Sequence, residues 1–346
     1  MTQIRVPTLV RSKPGALDRL GIYLTRPALT NVVFMTSEGL PQSLVDRAVA
    51  SMKQADVNVL EHIEISQASF EVAQDIFKTL PKRAQAIVGC GGGKALDVAK
   101  YISFLAALPF YAVPTSLSND GFCSPQSSLT VNGHRKSLPS KLPYAVVIDT
   151  KVCLSAPNFL WWSGVGDLVA KVTAVADWKL AFHAKGEPVN DFAALLSDAT
   201  VFQFMAQPTH DEDGMRLLGT ALTLNGIAME ICGSSRPASG SEHLISHALD
   251  GLSSHPKLHG LQVGVATYIV SNLQGQGRDR VASVLDKTRF WDAFEGDPCS
   301  VEEWLEAVHQ APKIKEDFYT VLSSRDCLPE VKDLLTTDER LKQCFR

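Results

Sequence analysis

Hydrophobic positions along the first 150 residues fall into two alternating textures. Short apolar runs, NVVFM at 31–35, VNVL at 57–60, AIVG at 86–89, PFYAVP at 109–114 and YAVVID at 144–149, are rich in β-branched and aromatic residues. Between them lie stretches whose apolar residues recur at helical spacing, beginning near residues 40, 68 and 94. Such alternation predicts βαβ units and a mostly parallel, Rossmann-like sheet with helices on both faces. One interruption, SSLTVNGHRKS, sets Asn132-Gly133 between two short runs and predicts a hairpin. From about Ser155 the pattern changes. GDLVAKVTAVADWKLAFHA and LLGTALTLNGIAMEIC read as long helices, and little in this half reads as strand. The expected organisation is an α/β domain over residues 1–154 and an all-α domain over 155–346, with a cleft at their junction. No internal repeat or low-complexity linker is visible.

Composition narrows the classes. At 346 residues with 45% hydrophobic content, the chain can bury a large core. A net charge of -4 offers no basic excess for nucleic acid. The seven cysteines are odd in number and scattered, with no C-x-x-C, which suits reduced thiols better than a disulfide framework or a thiolate metal site. The opening MTQIRVPTLVRSKPG lacks the apolar core of a signal peptide, and YISFLAALPFYAV is short and broken by Pro109. A soluble, cytoplasmic protein without a membrane span is expected.

The glycine cluster in AIVGCGGGKALDVAK lies between a strand and a helix. It fits neither G-x-G-x-x-G, since Lys94 stands where a glycine is needed, nor G-x-x-x-x-G-K-[ST], since Val88 and Ala95 break that pattern. What remains is a loop whose glycines admit a phosphate to backbone amides at a helix N-terminus, or else a tight strand-to-helix turn. In the second half, Asp167 follows a glycine pair at a helix start, where a carboxylate is commonly only a first-turn charge. His243 and His247 share a helix face four residues apart, and His259 stands at the start of another helix. A lone buried histidine is usually a satisfied polar group. Several imidazoles with one carboxylate can instead hold a catalytic divalent ion.

Taken in order, GGGKALDVAK, VPTSLSNDGFCSP, SGVGDLVAK, SRPASGSEHLISHALD and HGLQVGV resemble the sn-glycerol-1-phosphate dehydrogenases. These belong to the superfamily of iron-containing alcohol dehydrogenases, glycerol dehydrogenase and 3-dehydroquinate synthase. The resemblance covers roughly residues 30–270, the remainder matching only in being helical. It implies a dehydroquinate-synthase-like fold and NAD or NADP over Gly91, Gly92, Gly93 and Lys94, with Thr115 and Ser118 beneath the nicotinamide end. The metal would be held by Asp167, His243 and His259, zinc first, with nickel or iron as alternatives. His247 would line the substrate pocket and serve in proton transfer, and Asp120 would face the substrate. Lys136 and Arg236 match positions that hold substrate in the quinate synthases; for Arg236, a structural pairing with Glu242 or Glu230 is the other reading.

Asn119 and Leu261 depart from residues common in the family, which bears on substrate identity more than on cofactor or metal. Thr36 and Ser37 occupy the first βα turn, where an acid would accept the ribose hydroxyls of NAD, and Glu38 lies beyond; weak NAD/NADP discrimination follows. The implied activity reduces dihydroxyacetone phosphate, a phosphorylated triose, to sn-glycerol 1-phosphate, in a homo-oligomer. The alternatives are a polyol dehydrogenase without phosphate recognition, a quinate-synthase-like cyclase, and a non-catalytic dinucleotide sensor.

Overall fold

The computed structural model describes residues 4–346 and resolves them into two compact units, one comprising the chain up to Ala156 plus Asp211–Glu230, the other Pro157–His210 plus Ile231–Arg346.

The first unit is built on a parallel six-stranded sheet. Its strands are β1 (Leu9–Lys13), β2 (Asn31–Ser37), β3 (Asn58–Ile65), β4 (Ala86–Gly91), β5 (Phe110–Pro114) and β8 (Ala145–Asp149), in the order β1-β8-β5-β4-β2-β3. Helices α1 (Leu20–Thr25), α2 (Gln42–Gln54), α3 (Phe70–Thr79), α4 (Gly93–Ala106) and α5 (Thr150–Leu154) connect or follow the strands. β4, β5 and β8 are buried along their whole length, as strands covered on both faces must be. β1 pairs with β8, and the sequence pattern did not announce it: LVRSK contains only two apolar residues.

From β2 the chain moves outward to β3, then returns to the other side of β2 for β4 and continues to β5. The carboxyl ends of β2 and β4 are therefore neighbours at a point where strand order reverses, the usual place for a ligand in an open α/β sheet. The predicted hairpin forms from β6 (Gln126–Val131) and β7 (His134–Pro139). Its turn has φ 52° at Asn132 and 79° at Gly133, both left-handed, as a two-residue turn matched to strand twist requires. α9 (Glu212–Cys232) also packs on this unit: a Cβ at Gly226 would overlap the carbonyl of Cys123.

The second unit is helical, with no strand among its described residues. Its principal helices are α6 (Asn158–Val169), α7 (Lys171–Lys185), α8 (Asp191–Ala206), α10 (Ser241–Leu252), α11 (His259–Leu273), α12 (Arg278–Lys287) and α13 (Val301–Ile314). The single long helix expected over GDLVAKVTAVADWKLAFHA is two helices, parted at Ala170. Periodicity misses this break because Ala170 keeps right-handed helical angles, so the apolar spacing runs on through it. No described helix is long and apolar enough to cross a membrane.

Among the loop glycines only Gly91 has positive φ, at 142°, and a Cβ there would overlap Ser37; nothing lies within 4 Å of one built on Gly93. Gly91→Ala should therefore lower unfolding stability by about 1–3 kcal/mol, whereas Gly93→Ala should stay within about 0.5 kcal/mol of the parent protein. Urea unfolding of the two variants measures both.

Candidate cofactor loop and metal centre

At the end of β4 the chain turns through Gly91 and Gly92 into α4, whose first residue is Gly93. Ser37, ending β2, accepts a hydrogen bond from Gly92 N at 2.9 Å and locks the two strand ends together. Thr115 N donates to Gly91 O at 3.1 Å, tying in the turn after β5. The first-turn amides of α4 have no partner inside the helix, and the side of Gly93 is open. A backbone cradle of this kind at a helix N-terminus fits the diphosphate of a dinucleotide. Lys94, next along, is exposed. Gly92 has φ -86°, which any residue can adopt, so of the three glycines Gly91 alone is required by backbone conformation.

The same helix supports a second turn. Lys100, 1% exposed, lies 3.2 Å from Asp97 and donates to Gly121 O at 2.5 Å. This holds the turn Asp120–Cys123 against α4. Asn119 caps that turn by accepting from Gly121 N at 2.9 Å, which accounts for an asparagine here. Asp120 and Ser118 are half-buried on this loop.

In the second unit, Asp167, His243 and His259 each offer a ligand atom, and these atoms lie within 4.8 Å of one another. It is the one such group of His, Cys, Asp or Glu among the described residues. Three helices converge to make it. Asp167 lies near the end of α6 rather than at the helix start expected after its glycines, His243 in the first turn of α10, and His259 opens α11. Two donors about 2.1 Å from a tetrahedrally bound ion lie roughly 3.4 Å apart; His243 Nε2 and Asp167 Oδ1 are 3.4 Å apart. The donor set and the spacing fit a divalent ion.

The surroundings prepare these donors. Burial alone would push the Asp167 carboxyl up, but the Lys171 ammonium, His243 and His259 outweigh it and hold it well below the usual carboxylate range. Lys171, itself fully buried, is 3.3 Å from Asp167 Oδ1. Glu242 accepts from His243 Nδ1 at 2.8 Å, from Gly240 N at 2.6 Å and from Thr173 Oγ1 at 2.8 Å. With Nδ1 so engaged, His243 turns Nε2 toward Asp167. Burial disfavours the charged form of His243, yet its contacts with Asp167 and Glu242 prevail and raise its pKa. Asp177 on α7 accepts from Ser241 N at 2.8 Å and from Val321 N at 2.9 Å, anchoring the start of α10.

His247 lies outside the trio but beside it, its ring stacked on His259 at 5.8 Å between centroids. Arg236 does not join them. It is 1% exposed, bonded through Nε and Nη2 to Glu187 at 2.7 and 2.5 Å, donates to Tyr319 O, and lies over the Phe318 ring at 4.0 Å. The guanidinium has a carboxylate partner, and it is Glu187 rather than the expected Glu242 or Glu230. Lys136 on β7 is exposed and has no ion pair among the described residues. Sequence reasoning missed Lys171 and Lys100, and named Glu242 for Arg236 rather than for His243. The spacing Asp167 to Lys171 is that of a helical ion pair and was readable; its complete burial was not.

The iron-containing alcohol dehydrogenase family model matches residues 11–157. Glycerol-1-phosphate dehydrogenase (NAD(P)+) of Methanosphaera stadtmanae is 32% identical over 335 residues, covering 95% of this chain and 96% of that one. The enzyme of the same name from Aeropyrum pernix is 34% identical over 340 residues, covering 96% of each chain. Similarity thus runs well past the 30–270 span that the motifs alone suggested. Among solved structures, glycerol dehydrogenase from Schizosaccharomyces pombe superposes with a TM-score of 0.77 at 18% identity, covering 99% of this chain and 91% of that one. Sulfoacetaldehyde reductase from Bifidobacterium kashiwanohense, in complex with NAD+, gives 0.69 at 17% identity, covering 98% and 100%.

The trio depends on close helix contact. A Cβ on Gly260 would overlap the backbone carbonyl of Ser163 in α6, and one on Gly166 would overlap that of Gly260. Gly260→Ala should force α6 and α11 apart, lowering stability by about 1–3 kcal/mol and cutting bound divalent ion to well below that of the parent. Elemental analysis after dialysis against zinc, alongside thermal unfolding, tests this; full metal content in a folded variant would show that the spacing tolerates a methyl group.

Proposed function

This chain belongs to the glycerol-1-phosphate dehydrogenase family of the iron-containing alcohol dehydrogenases, and on that premise we propose that it interconverts dihydroxyacetone phosphate and sn-glycerol 1-phosphate with NAD(P) and a divalent metal. The observation that carries the reading is the acid–histidine–histidine trio, set on three helices of a chain whose relatives match it nearly end to end. Asp167, His243 and His259 would hold the ion, with zinc the first choice for this mixed nitrogen and oxygen set. Gly91 to Lys94 would hold the diphosphate, supported by Ser37 and Thr115. When bound, the nicotinamide supplies a hydride and the ion supplies Lewis acidity.

The chain's own residues do the rest. Lys171 keeps the Asp167 carboxyl ionised, and Glu242 keeps His243 Nε2 directed at the trio. A ring nitrogen of His247 gives a proton to the substrate oxygen as that oxygen gains charge, and takes it back in the oxidation direction. Asp120, fixed by the Lys100 and Asn119 contacts to its turn, orients the substrate. Lys136 meets the phosphate, because its ammonium is unpaired whereas Arg236 already has Glu187.

Oxidation of NADH or NADPH by dihydroxyacetone phosphate, with chiral analysis of the product, tests the activity; a protein that prefers the unphosphorylated ketone would be a polyol dehydrogenase. Asp167→Ala, His243→Ala and His259→Ala should each lose most bound zinc while remaining folded, and His247→Ala should keep it while losing turnover. Lys136→Ala should raise KM for dihydroxyacetone phosphate about tenfold to a hundredfold and leave saturated turnover of dihydroxyacetone nearly unchanged. Equal damage with both substrates would make Lys136 structural.

A further inference from the structure

We propose that Ser246 and Gln262 are positioning residues that fix the imidazole tautomer of His259, so that Nε2 is the atom offered to a divalent ion. The inference rests on the metal reading above. Ser246 Oγ lies 3.1 Å from His259 Nδ1 and donates to Gln262 Oε1 at 2.7 Å. A serine hydroxyl has one proton, and an amide oxygen can only accept. The proton of Ser246 therefore goes to Gln262, and the hydroxyl oxygen is left to accept from His259. Nδ1 must carry the hydrogen, and the lone pair of the neutral ring falls to Nε2.

Burial fixes the direction of the hydroxyl. Ser246 is 0% and Gln262 2% exposed, so bulk water does not compete for the contact between them. Spacing makes it systematic: Ser246 follows His243 by three residues on α10, and Gln262 follows His259 by three on α11, so each shares a helix face with a metal-facing histidine. The same result is reached at His243 by a different group, since Glu242 engages its Nδ1 and leaves Nε2 3.4 Å from Asp167. One histidine is oriented by a carboxylate and the other by a neutral hydroxyl–amide relay. The relay has a polarity. Were the amide turned to present its NH2, Ser246 would donate to His259 Nδ1 and place the hydrogen on Nε2, where it blocks metal binding.

The test uses metal-free full-length protein labelled with 15N-histidine, read by long-range 15N–1H correlation, together with zinc affinity from chelator competition. The wild type should show His259 protonated on Nδ1. Ser246→Ala should lose that preference and weaken zinc binding by about ten- to a hundredfold, with NADH affinity unchanged. Gln262→Glu, whose carboxylate can only accept, should retain both the Nδ1–H form and zinc affinity even if Ser246→Ala folds poorly. An Nε2–H wild type, or a folded Ser246→Ala that binds zinc as tightly as the parent, overturns the proposal. A wild type that takes up no zinc overturns instead the metal reading beneath it.

Discussion

Asp167, His243 and His259 come together because two helices touch where neither has a side chain. Gly166 on α6 and Gly260 on α11 face each other so closely that a methyl group on either would enter the other's surroundings, and Gly264 repeats the contact against Phe290 and Gly166. Each of the first two glycines is the chain neighbour of a trio member, Asp167 and His259. Ordinary side chains hold helix axes about 8–10 Å apart; the glycines allow a closer approach at the level where donors must converge. α10 then has only to supply His243 from its first turn, and Asp177 fixes where that turn begins. Packing thus sets the positions of these side chains, and the hydrogen bonds their Nδ1 atoms make to Glu242 and Ser246 set the ring orientations.

The first unit solves a different problem by related means. A dinucleotide needs free amides, and a buried sheet leaves few. The strand-order reversal between β2 and β4 opens the carboxyl edge, and Gly91 at φ 142° lets the chain leave β4 beside Ser37. Ser37 engages one loop amide, that of Gly92, and the first turn of α4 follows with its amides unpaired by the helix. The glycines have separate duties. Gly91 is demanded by backbone geometry, whereas the space beside Gly93 is open.

Much of this could be read from the sequence because it is local. The Asn132-Gly133 turn, the glycine loop before α4, and the helix start at His259 each depend on residues within a few positions, and each formed as the pattern implied. The spacing of His243 and His247 placed both on one helix face but could not say which faces Asp167; that is decided by a contact between helices. The partners of Arg236 could not be read from the sequence because Glu187 and Tyr319 are 49 and 83 residues away in it. β1 escaped notice because one strand partner, β8, makes it a strand although three of its five residues are polar. Helix α9 showed the same limit: its apolar length was evident, but its packing against the Cys123 turn required a glycine to meet a distant carbonyl.

Charge explains why the trio is more than a cluster of polar side chains. An ionised carboxylate buried without compensation costs several kcal/mol, and proteins ordinarily protonate it or pair it. Asp167 is paired with Lys171, a lysine equally buried, four residues along and across the helix boundary at Ala170. That pairing keeps the carboxylate ionised before any cation arrives, so the site does not have to expel a proton from Asp167 to bind one. It also offsets the carboxylate's charge once a divalent ion is present. On the proposed reading, a divalent ion held there would sit beside a carboxylate whose charge Lys171 already balances, in surroundings of low polarity where residual positive charge acts strongly.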